Sequence, residues 1–270
     1  DKYMNKINVI PALLRKKFYK VEKAENIKGN VNLLVIGGSQ GAKIFDRLIK
    51  TSIIELSKKY LNKINVIPAL LRKEFYEIKR TENIDSCVNL LIVGGSQGAQ
   101  IFDTLVKKSI VELSRKYTLK IYQQTDLINF ENLKKFYKDN NINNELFDFN
   151  EDISNLMSKA NICLTRAGAS TLAELVFLNL PFLAIPLPTS KDNHQFENAF
   201  FYNKIGCNWI INQNEINDET ITNKLVNIID NKDEYLIKKM NMKNFSYQNT
   251  WNNINQKIIS VINENRNSKN

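Results

Sequence analysis

Short apolar runs alternate along this chain with stretches whose apolar residues recur every three or four positions. Val88–Val93, Leu119–Gln123 and Ile162–Leu164 have the length and the apolar character of buried strands. Between the first two runs lies one apolar stripe, which predicts a single helix carrying Phe102, Val106, Ile110, Leu113 and Tyr117. This alternation predicts an α/β fold with a doubly wound, Rossmann-like parallel sheet and right-handed crossovers.

The same pattern continues towards the C-terminus. Further strands are predicted at Leu146–Phe149, within Leu180–Leu187 and, as an edge strand, at Trp209–Ile211. A helix is predicted over Asn129–Asn140, and a second runs from a cap at Asn150 or Asp152 to Ala160. A third helix begins at Ala169 or Ser170, and a fourth continues over Asn198–Ile205 and ends at Gly206. Three more are predicted over Asn217–Asn231, Asp233–Met242 and Thr250–Val261. The polar segment Asn263–Asn270 is expected to fray.

The N-terminal part contains a tandem repeat. Residues Asn5–Tyr60 (copy one) recur as Asn62–Tyr117 (copy two), about two-thirds identical, which indicates a recent duplication. Each copy holds a strand candidate (Ile7–Ile10, Ile64–Ile67), a basic stretch, and an apolar run that ends in Gly-Gly-Ser-Gln-Gly-Ala.

A single sheet has one central position for the repeated strand. We expect copy two to fill it, because copy two is contiguous with the rest of the pattern. Copy one is then expected to add to a sheet edge, form a small partial layer or pack loosely. Displacement of copy two by copy one is the alternative.

Two glycine-containing turns follow predicted strands, at Gly94–Ala99 and around Gly168. Glycines allow backbone N–H groups to face a ligand, and the first turn of a helix has unpaired N–H groups that bind anions. Glu174, one helical turn further on, can accept two hydrogen bonds from a vicinal diol such as a ribose. Because ligands bind outside the carboxyl ends of parallel strands, the turns predict one pocket for a nucleoside diphosphate; the alternative is two turns that bind nothing. The first turn is not G-x-G-x-x-G, so NAD and FAD are not expected.

Charge and composition narrow the function. The 270-residue chain has a net charge of +10, which favours anionic partners, but its basic residues are spread out and no nucleic-acid-binding motif is present. The cysteines Cys87, Cys163 and Cys207 show no disulfide pattern, which is typical of a reducing cytosol. No apolar run approaches the ~20 residues of a membrane span and no signal peptide is evident, so a cytoplasmic location is expected. No Asp-x-Asp pair follows a strand, so no metal is expected.

Four motifs together resemble the C-terminal, donor-binding half of the MurG family of glycosyltransferases. They are Gly94–Ala99, Thr165–Glu174, Pro181–Pro186 and Asp192–Ala199, and the resemblance runs from about Asn62 to the C-terminus. That family transfers N-acetylglucosamine from its UDP-sugar to the lipid-linked muramyl-pentapeptide of peptidoglycan. The resemblance implies one half of a GT-B fold, with residues 62–262 as the UDP-sugar domain, 1–61 as the duplicated segment and 263–270 as a tail.

The resemblance also implies roles for individual residues. Ser96 would contact the nucleotide, the Ala169–Glu174 segment would bind the diphosphate with Glu174 on the ribose, and Gln195 with the single histidine, His194, would face the donor sugar. His194 is not assigned as the general base. Asn150 falls where the family holds the uracil, and Arg72 matches an arginine of the interdomain segment. The candidate donor-binding residues are therefore Arg72, Gly95, Ser96, Gln97, Asn150, Ala169, Ser170, Thr171, Leu172, Ala173, Glu174, His194 and Gln195.

The resemblance does not extend to the acceptor-binding half. Residues before Asn62 hold copy one rather than an acceptor domain with its catalytic base, so we expect an incomplete transferase that binds UDP-N-acetylglucosamine without a cofactor. The lipid-linked acceptor would bind only with a separate acceptor domain or chain, at the cytoplasmic face of the inner membrane. The alternatives are the donor-binding subunit of a split two-chain transferase and a non-catalytic, truncated or rearranged product.

Overall fold

A six-stranded, wholly parallel sheet forms the centre of the molecule in a computed structural model, which describes residues 71–79, 83–94, 99–150, 152–190, 193–246 and 256. The strands are β1 (Val88–Val93), β2 (Leu119–Gln124), β3 (Asn143–Phe147), β4 (Ile162–Thr165), β5 (Phe182–Ala184) and β6 (Asn208–Ile210). Their order is β3-β2-β1-β4-β5-β6. The predicted doubly wound, Rossmann-like sheet is confirmed.

Helices cover both faces of the sheet. They are α1 (Ala99–Leu105), α2 (Lys107–Lys116), α3 (Leu127–Asp139), α4 (Ile153–Lys159), α5 (Ala169–Phe177), α6 (His194–Lys204), α7 (Asp218–Asp230) and α8 (Lys232–Ser246). Short 3₁₀ turns lie at Lys73–Tyr76 and Gln213–Glu215. No helix of the described ranges is long and apolar enough to cross a membrane.

Alternating side chains of each strand enter two cores. In β1, Leu91 and Val93 belong to the core beneath α5, whereas Val88, Leu90 and Ile92 belong to the core beneath α1 and α2. Burial on both faces explains why β1 is apolar at nearly every position. Leu71 and Phe75, which precede the sheet in the chain, are buried in the first core.

Local capping sets the helix ends. Asp126 and Asp152 accept hydrogen bonds from the backbone at the starts of α3 and α4, and Asn217 forms a capping box with Thr220 at α7. Gly206 follows α6 with a φ of 74°, and a Cβ there would lie 2.5 Å from the Asn241 Nδ2 atom. Glycine is therefore favoured at the predicted end of this helix.

Several predicted elements were wrong in their bounds; α8, for example, ends at Ser246 rather than Met242. The helix of copy two is divided at Val106, where the backbone hydrogen bond to Phe102 lengthens to 3.4 Å, although its apolar stripe stays buried across the junction. The strand predicted at Leu146–Phe149 begins at Asn143 instead, and Phe149 lies beyond its end, 80% exposed. β3 is an edge strand held by its backbone to β2, so polar side chains are tolerated there.

Copy two supplies the central strand, as expected, because β1 lies between β2 and β4. The strands and turn predicted in copy one, the strand at Ile64–Ile67, the helix at Thr250–Val261 and the tail lie outside the described residues, apart from Gln256, which is helical. The domain boundaries near residues 61 and 262 stay predictions.

Candidate functional site

The sheet has its topological switch point between β1 and β4. From there the chain winds outwards through β2 to β3 and, in the second half, through β5 to β6. Val93 pairs with Thr165, and the Arg166 N–H donates to the Val93 carbonyl at 3.3 Å, so both strands end side by side. The two turns predicted to share a pocket therefore leave adjacent strand ends, where open α/β sheets form a crevice. Gly95, Ser96 and Gln97 lie outside the described residues.

The start of α5 opens into this crevice. Gly168 is its N-cap and no side chain caps the helix. Ala169 and Ser170 are exposed and Thr171 is half-buried, whereas Leu172 and Ala173 are fully buried, and the Leu172 N–H already donates to the Gly168 carbonyl. Of the predicted diphosphate segment, residues 169–171 are thus the part that presents backbone N–H groups outwards.

The fold itself does not demand a glycine at position 168. Its φ is −68°, which any residue adopts, and among the described residues an added Cβ would meet only Thr171 Oγ1 within 4 Å, at 3.7 Å. The missing side chain keeps open space on the crevice side of the turn. This favours a ligand that approaches the backbone closely.

Two predicted residues from distant parts of the chain meet at Glu174. The Arg72 Nε donates to Glu174 Oε1 at 2.9 Å, and Arg72 Nη1 lies 3.5 Å from Glu74 Oε1. The Glu174 side chain is only 7% exposed. Burial raises the pKa of Glu174, Arg72 opposes that rise, and Glu74 adds to it.

The predicted sugar-facing residues lie at the start of α6. Gln195 Oε1 accepts hydrogen bonds from the N–H groups of Ala167 at 3.2 Å and Leu187 at 3.0 Å. Asn198 Nδ2 donates to the Ala167 carbonyl at 3.0 Å. This network holds α6 against the turn between β4 and α5 and against the segment after β5. His194 is half-buried in the same first turn.

Asn150 follows β3, two strands away from the switch point. Its Oδ1 accepts a hydrogen bond from the Asp152 N–H at 2.7 Å. The Asn150 side-chain oxygen is therefore occupied in the turn that precedes α4.

Comparison with known proteins decides the family. A model of the glycosyltransferase family 28 C-terminal domain matches residues 89–257, more than half of the chain.

The chain belongs to this family.

Individual relatives agree with this family 28 assignment. The chain is 66% identical over 207 residues, or 77% of its length, to the UDP-N-acetylglucosamine–N-acetylmuramyl-(pentapeptide) pyrophosphoryl-undecaprenol N-acetylglucosamine transferase of Pelagibacter ubique (strain HTCC1062). It is 37% identical over 157 residues to the enzyme of the same name from Rickettsia bellii (strain RML369-C), covering 57% of this chain and 44% of that one. It spans only 58% of the Pelagibacter protein.

Solved structures support the fold. The family 28 domain superposes on the crystal structure of Acinetobacter baumannii MurG with a TM-score of 0.61 at 24% identity, covering 75% of this chain and 57% of that one. It superposes on WaaG, a glycosyltransferase of lipopolysaccharide biosynthesis, with a TM-score of 0.51 at 19% identity, covering 78% and 60%. The likeness to these GT-B proteins confirms the half-GT-B architecture.

Sequence reasoning missed Arg166, which is 5% exposed just before the Gly168 turn. Its guanidinium donates to the carbonyls of Ile185 at 3.1 Å and Pro186 at 3.3 Å and to Gln213 Oε1 at 2.8 Å. Burial lowers its pKa, and its Nε has no hydrogen-bond partner among the described residues. Arg166 thus ties the crevice end of β5 to the segment after β6. An arginine between a buried strand and a glycine turn was the available signal.

Asp103 was missed as well. This 2% exposed carboxylate on α1 accepts hydrogen bonds from Gln123 Nε2 at 2.9 Å, Thr125 Oγ1 at 2.8 Å and Asn129 Nδ2 at 3.2 Å. Tyr137 donates to Gln123 Oε1 and extends the network. Burial raises the pKa of Asp103. The network fixes α1, which follows the glycine-rich turn, to the end of β2.

Proposed function

We propose that this family 28 domain binds UDP-N-acetylglucosamine as the donor-binding half of an inverting glycosyltransferase that forms lipid II for peptidoglycan. The observation that carries the proposal is the convergence, at the switch point, of the uncapped start of α5 with Glu174 and Gln195. The 66% identical Pelagibacter relative, which is named as an N-acetylglucosamine transferase, supports this choice of donor.

The start of α5 would bind the diphosphate. Three outward N–H groups, at Ala169, Ser170 and Thr171, and the positive end of the helix dipole attract an anion without a metal ion. The same groups would stabilise the charge that develops on UDP when it leaves during glycosyl transfer. The open space beside Gly168 lets a phosphate approach the backbone.

Glu174 and Gln195 would orient the two ends of the donor. Glu174 Oε1 accepts from Arg72, which leaves Oε2 to accept from a ribose hydroxyl. The Gln195 oxygen is held by two backbone N–H groups, so its amide nitrogen can donate to a sugar hydroxyl. Both roles use side chains whose positions are already fixed, which reduces the entropy lost on binding.

The acceptor would bind elsewhere. Glycosyl transfer needs a base for the acceptor hydroxyl, and we assign none to the described residues. We place the base, and the site for the lipid-linked acceptor, on an acceptor domain in a longer protein or on a separate chain at the cytoplasmic membrane face. The second case would make this domain one subunit of a split transferase.

Isothermal titration of the folded chain with UDP-N-acetylglucosamine tests the proposal. We expect a saturable exothermic signal with this donor, a weaker one with UDP, and none with GDP-mannose, which shares the diphosphate but not the base. No heat at millimolar donor from a folded sample would refute donor binding. Co-purification of an acceptor-binding chain would separate the split transferase from a non-catalytic product.

A further inference from the structure

We propose that copy one is a second possible occupant of the central position in the sheet, so that this chain folds in two arrangements. In the copy-two arrangement, described above, residues 71–117 supply β1, α1 and α2. In the copy-one arrangement, residues 14–60 replace them. The inference concerns the fold of the duplicated segment and does not depend on the proposed donor.

The segment before the sheet is matched at most of its contacts with the body, although Ile78, which packs against the first core, corresponds to Val21. Leu71 and Phe75 are buried, Arg72 donates to Glu174, and the Tyr76 ring packs edge-on against Phe177 with centroids 5.0 Å apart. The corresponding residues, at a constant offset of 57 positions, are identical: Leu14, Phe18, Arg15 and Tyr19. Glu74, whose side chain is 45% exposed, is replaced by Lys17.

The central strand is matched in the same way. Val88, Leu90 and Leu91 correspond to identical residues, and Asn89, whose N–H donates to Asn161, corresponds to Asn32. Ile92 and Val93 correspond to Val35 and Ile36, which exchanges one methylene between neighbouring positions. Because these two positions enter opposite cores, one core loses a methylene and the other gains one, changes that cost less than the truncation of a whole side chain.

The two helices repeat every fully buried side chain but one. Phe102, Asp103, Ser109, Ile110 and Leu113 recur unchanged, and Val106 becomes Ile49. The hydrogen-bonding side chains of these helices also recur in copy one. Asp46 can replace Asp103 in its network, and Ser52 can replace Ser109, which donates to the Asp218 carbonyl. Lys108, which forms an exposed ion pair with Asp218, corresponds to Thr51. Because exposed ion pairs contribute little, little stability is lost with this pair in the copy-one arrangement.

Connectivity decides which arrangement dominates. With copy two in the sheet, copy one precedes the folded elements and adds no loop between two of them. With copy one in the sheet, residues 61–118 must form a loop between the end of α2 and the start of β2. Closing a loop of that length disfavours the copy-one arrangement by roughly a thousandfold, or about 4 kcal/mol. The copy-one arrangement is therefore a minor state of the unmodified chain.

Damage to copy two should expose this minor state. Leu91→Asp places a charge in the core and should abolish the copy-two arrangement. We expect the full-length variant to remain cooperatively folded, with its stability lowered by about that same thousandfold factor. Leu34→Asp alone should leave stability unchanged. Leu34→Asp combined with Leu91→Asp should unfold, as should Leu164→Asp in the unduplicated β4. Near-ultraviolet circular dichroism and urea titration separate these outcomes.

Thiol trapping tests the proposal even if Leu91→Asp does not fold. Leu91 pairs with Cys163 across the parallel ladder of β1 and β4, so Leu34→Cys should place a thiol opposite Cys163 in the copy-one arrangement. We expect slow oxidation to accumulate a disulfide between position 34 and Cys163, and its rate should rise at least tenfold when Leu91→Asp is added. Lys50→Cys, whose counterpart Lys107 stacks over Phe136 away from Cys163, is the control. Linkage that is absent, or no faster than from position 50, would overturn the proposal.

Discussion

Arg72 Nε lies 2.9 Å from Glu174 Oε1, which joins a half-exposed guanidinium to an almost fully buried carboxyl across 102 positions of sequence. The contact connects the segment before β1 to the helix that opens the crevice. It therefore couples the position of a predicted ribose-binding residue to the docking of the upstream chain.

Removing the arginine should destabilise the protein in a pH-dependent way. Arg72→Met leaves Glu174 buried without its cation, and because Arg72 is half-exposed we expect a loss of only about 1 kcal/mol at pH 7. The loss should shrink at pH 5, where Glu174 protonates more readily. Urea unfolding at both pH values measures this. In the matched control, Arg72→Met is made in a Glu174→Gln background, where the stability that it costs should be the same at both pH values. Equal losses of stability at both pH values for Arg72→Met alone would contradict the interpretation.

Donor affinity and stability should respond to pH in opposite directions. Burial raises the pKa of Glu174 above its ordinary value of 4.5, so the folded state holds this proton more tightly than the unfolded state. The contribution of Glu174 to stability is therefore present below pH 4.5 and is lost as pH rises through the folded pKa. Donor affinity should rise over the same interval, because a ribose needs the carboxylate as acceptor. Titration calorimetry across pH checks this. Glu174→Gln should flatten both profiles, and an unchanged profile would exclude Glu174 as the titrating group.

Gly168→Ala should separate ligand binding from folding. The backbone tolerates alanine, since φ is −68° and the added Cβ meets, in the part of the chain that the structure describes, only Thr171 Oγ1 at 3.7 Å. We expect the unfolding free energy to change by no more than about 0.5 kcal/mol, because the stiffer unfolded chain offsets a poorer cap. Donor affinity should fall by about tenfold or more, since the methyl group occupies the space beside the first-turn N–H groups. Unchanged affinity would place the diphosphate elsewhere.

Gln195 offers a test that distinguishes its oxygen from its nitrogen. Gln195→Ala leaves the Ala167 and Leu187 N–H groups without their acceptor and should cost about 1–3 kcal/mol of stability. Gln195→Glu keeps an acceptor and should preserve most of that stability. It should still weaken donor binding, because it replaces the amide donor with a negative charge near the diphosphate. Urea titration and calorimetry on the two variants give both quantities, and equal stability losses would disprove the role of the oxygen.

The sequence predicts those strands and helices whose buried apolar residues follow a regular pattern along the chain. Buried strands such as Val88–Val93 are apolar on both faces, and the helix starting at Ala169 carries a continuous stripe, so their type and order could be deduced. β3 was misplaced because the backbone pairing of an edge strand leaves its side chains free to be polar, as at Asn143 and Glu145. The interruption at Val106 leaves no mark on the apolar pattern.

The candidate site was only partly predictable, for a different physical reason. The start of α5 is recognisable because glycine and small polar residues follow a strand. The partners of Arg166 and Asp103 are contributed by other strands and helices, and no local pattern announces them. The pairing of Arg72 with Glu174 likewise appears only once the chain has folded.

The two margins of the described sheet also bear on the tendency of the duplicated chain to self-associate. At one margin β3 presents exposed Asn143 and Glu145, and at the other β6 is only three residues long. Charged or very short border strands give an incoming chain little to pair with. A surplus apolar strand from another molecule is thus discouraged from growing the sheet sideways, which would otherwise be a direct route to aggregates.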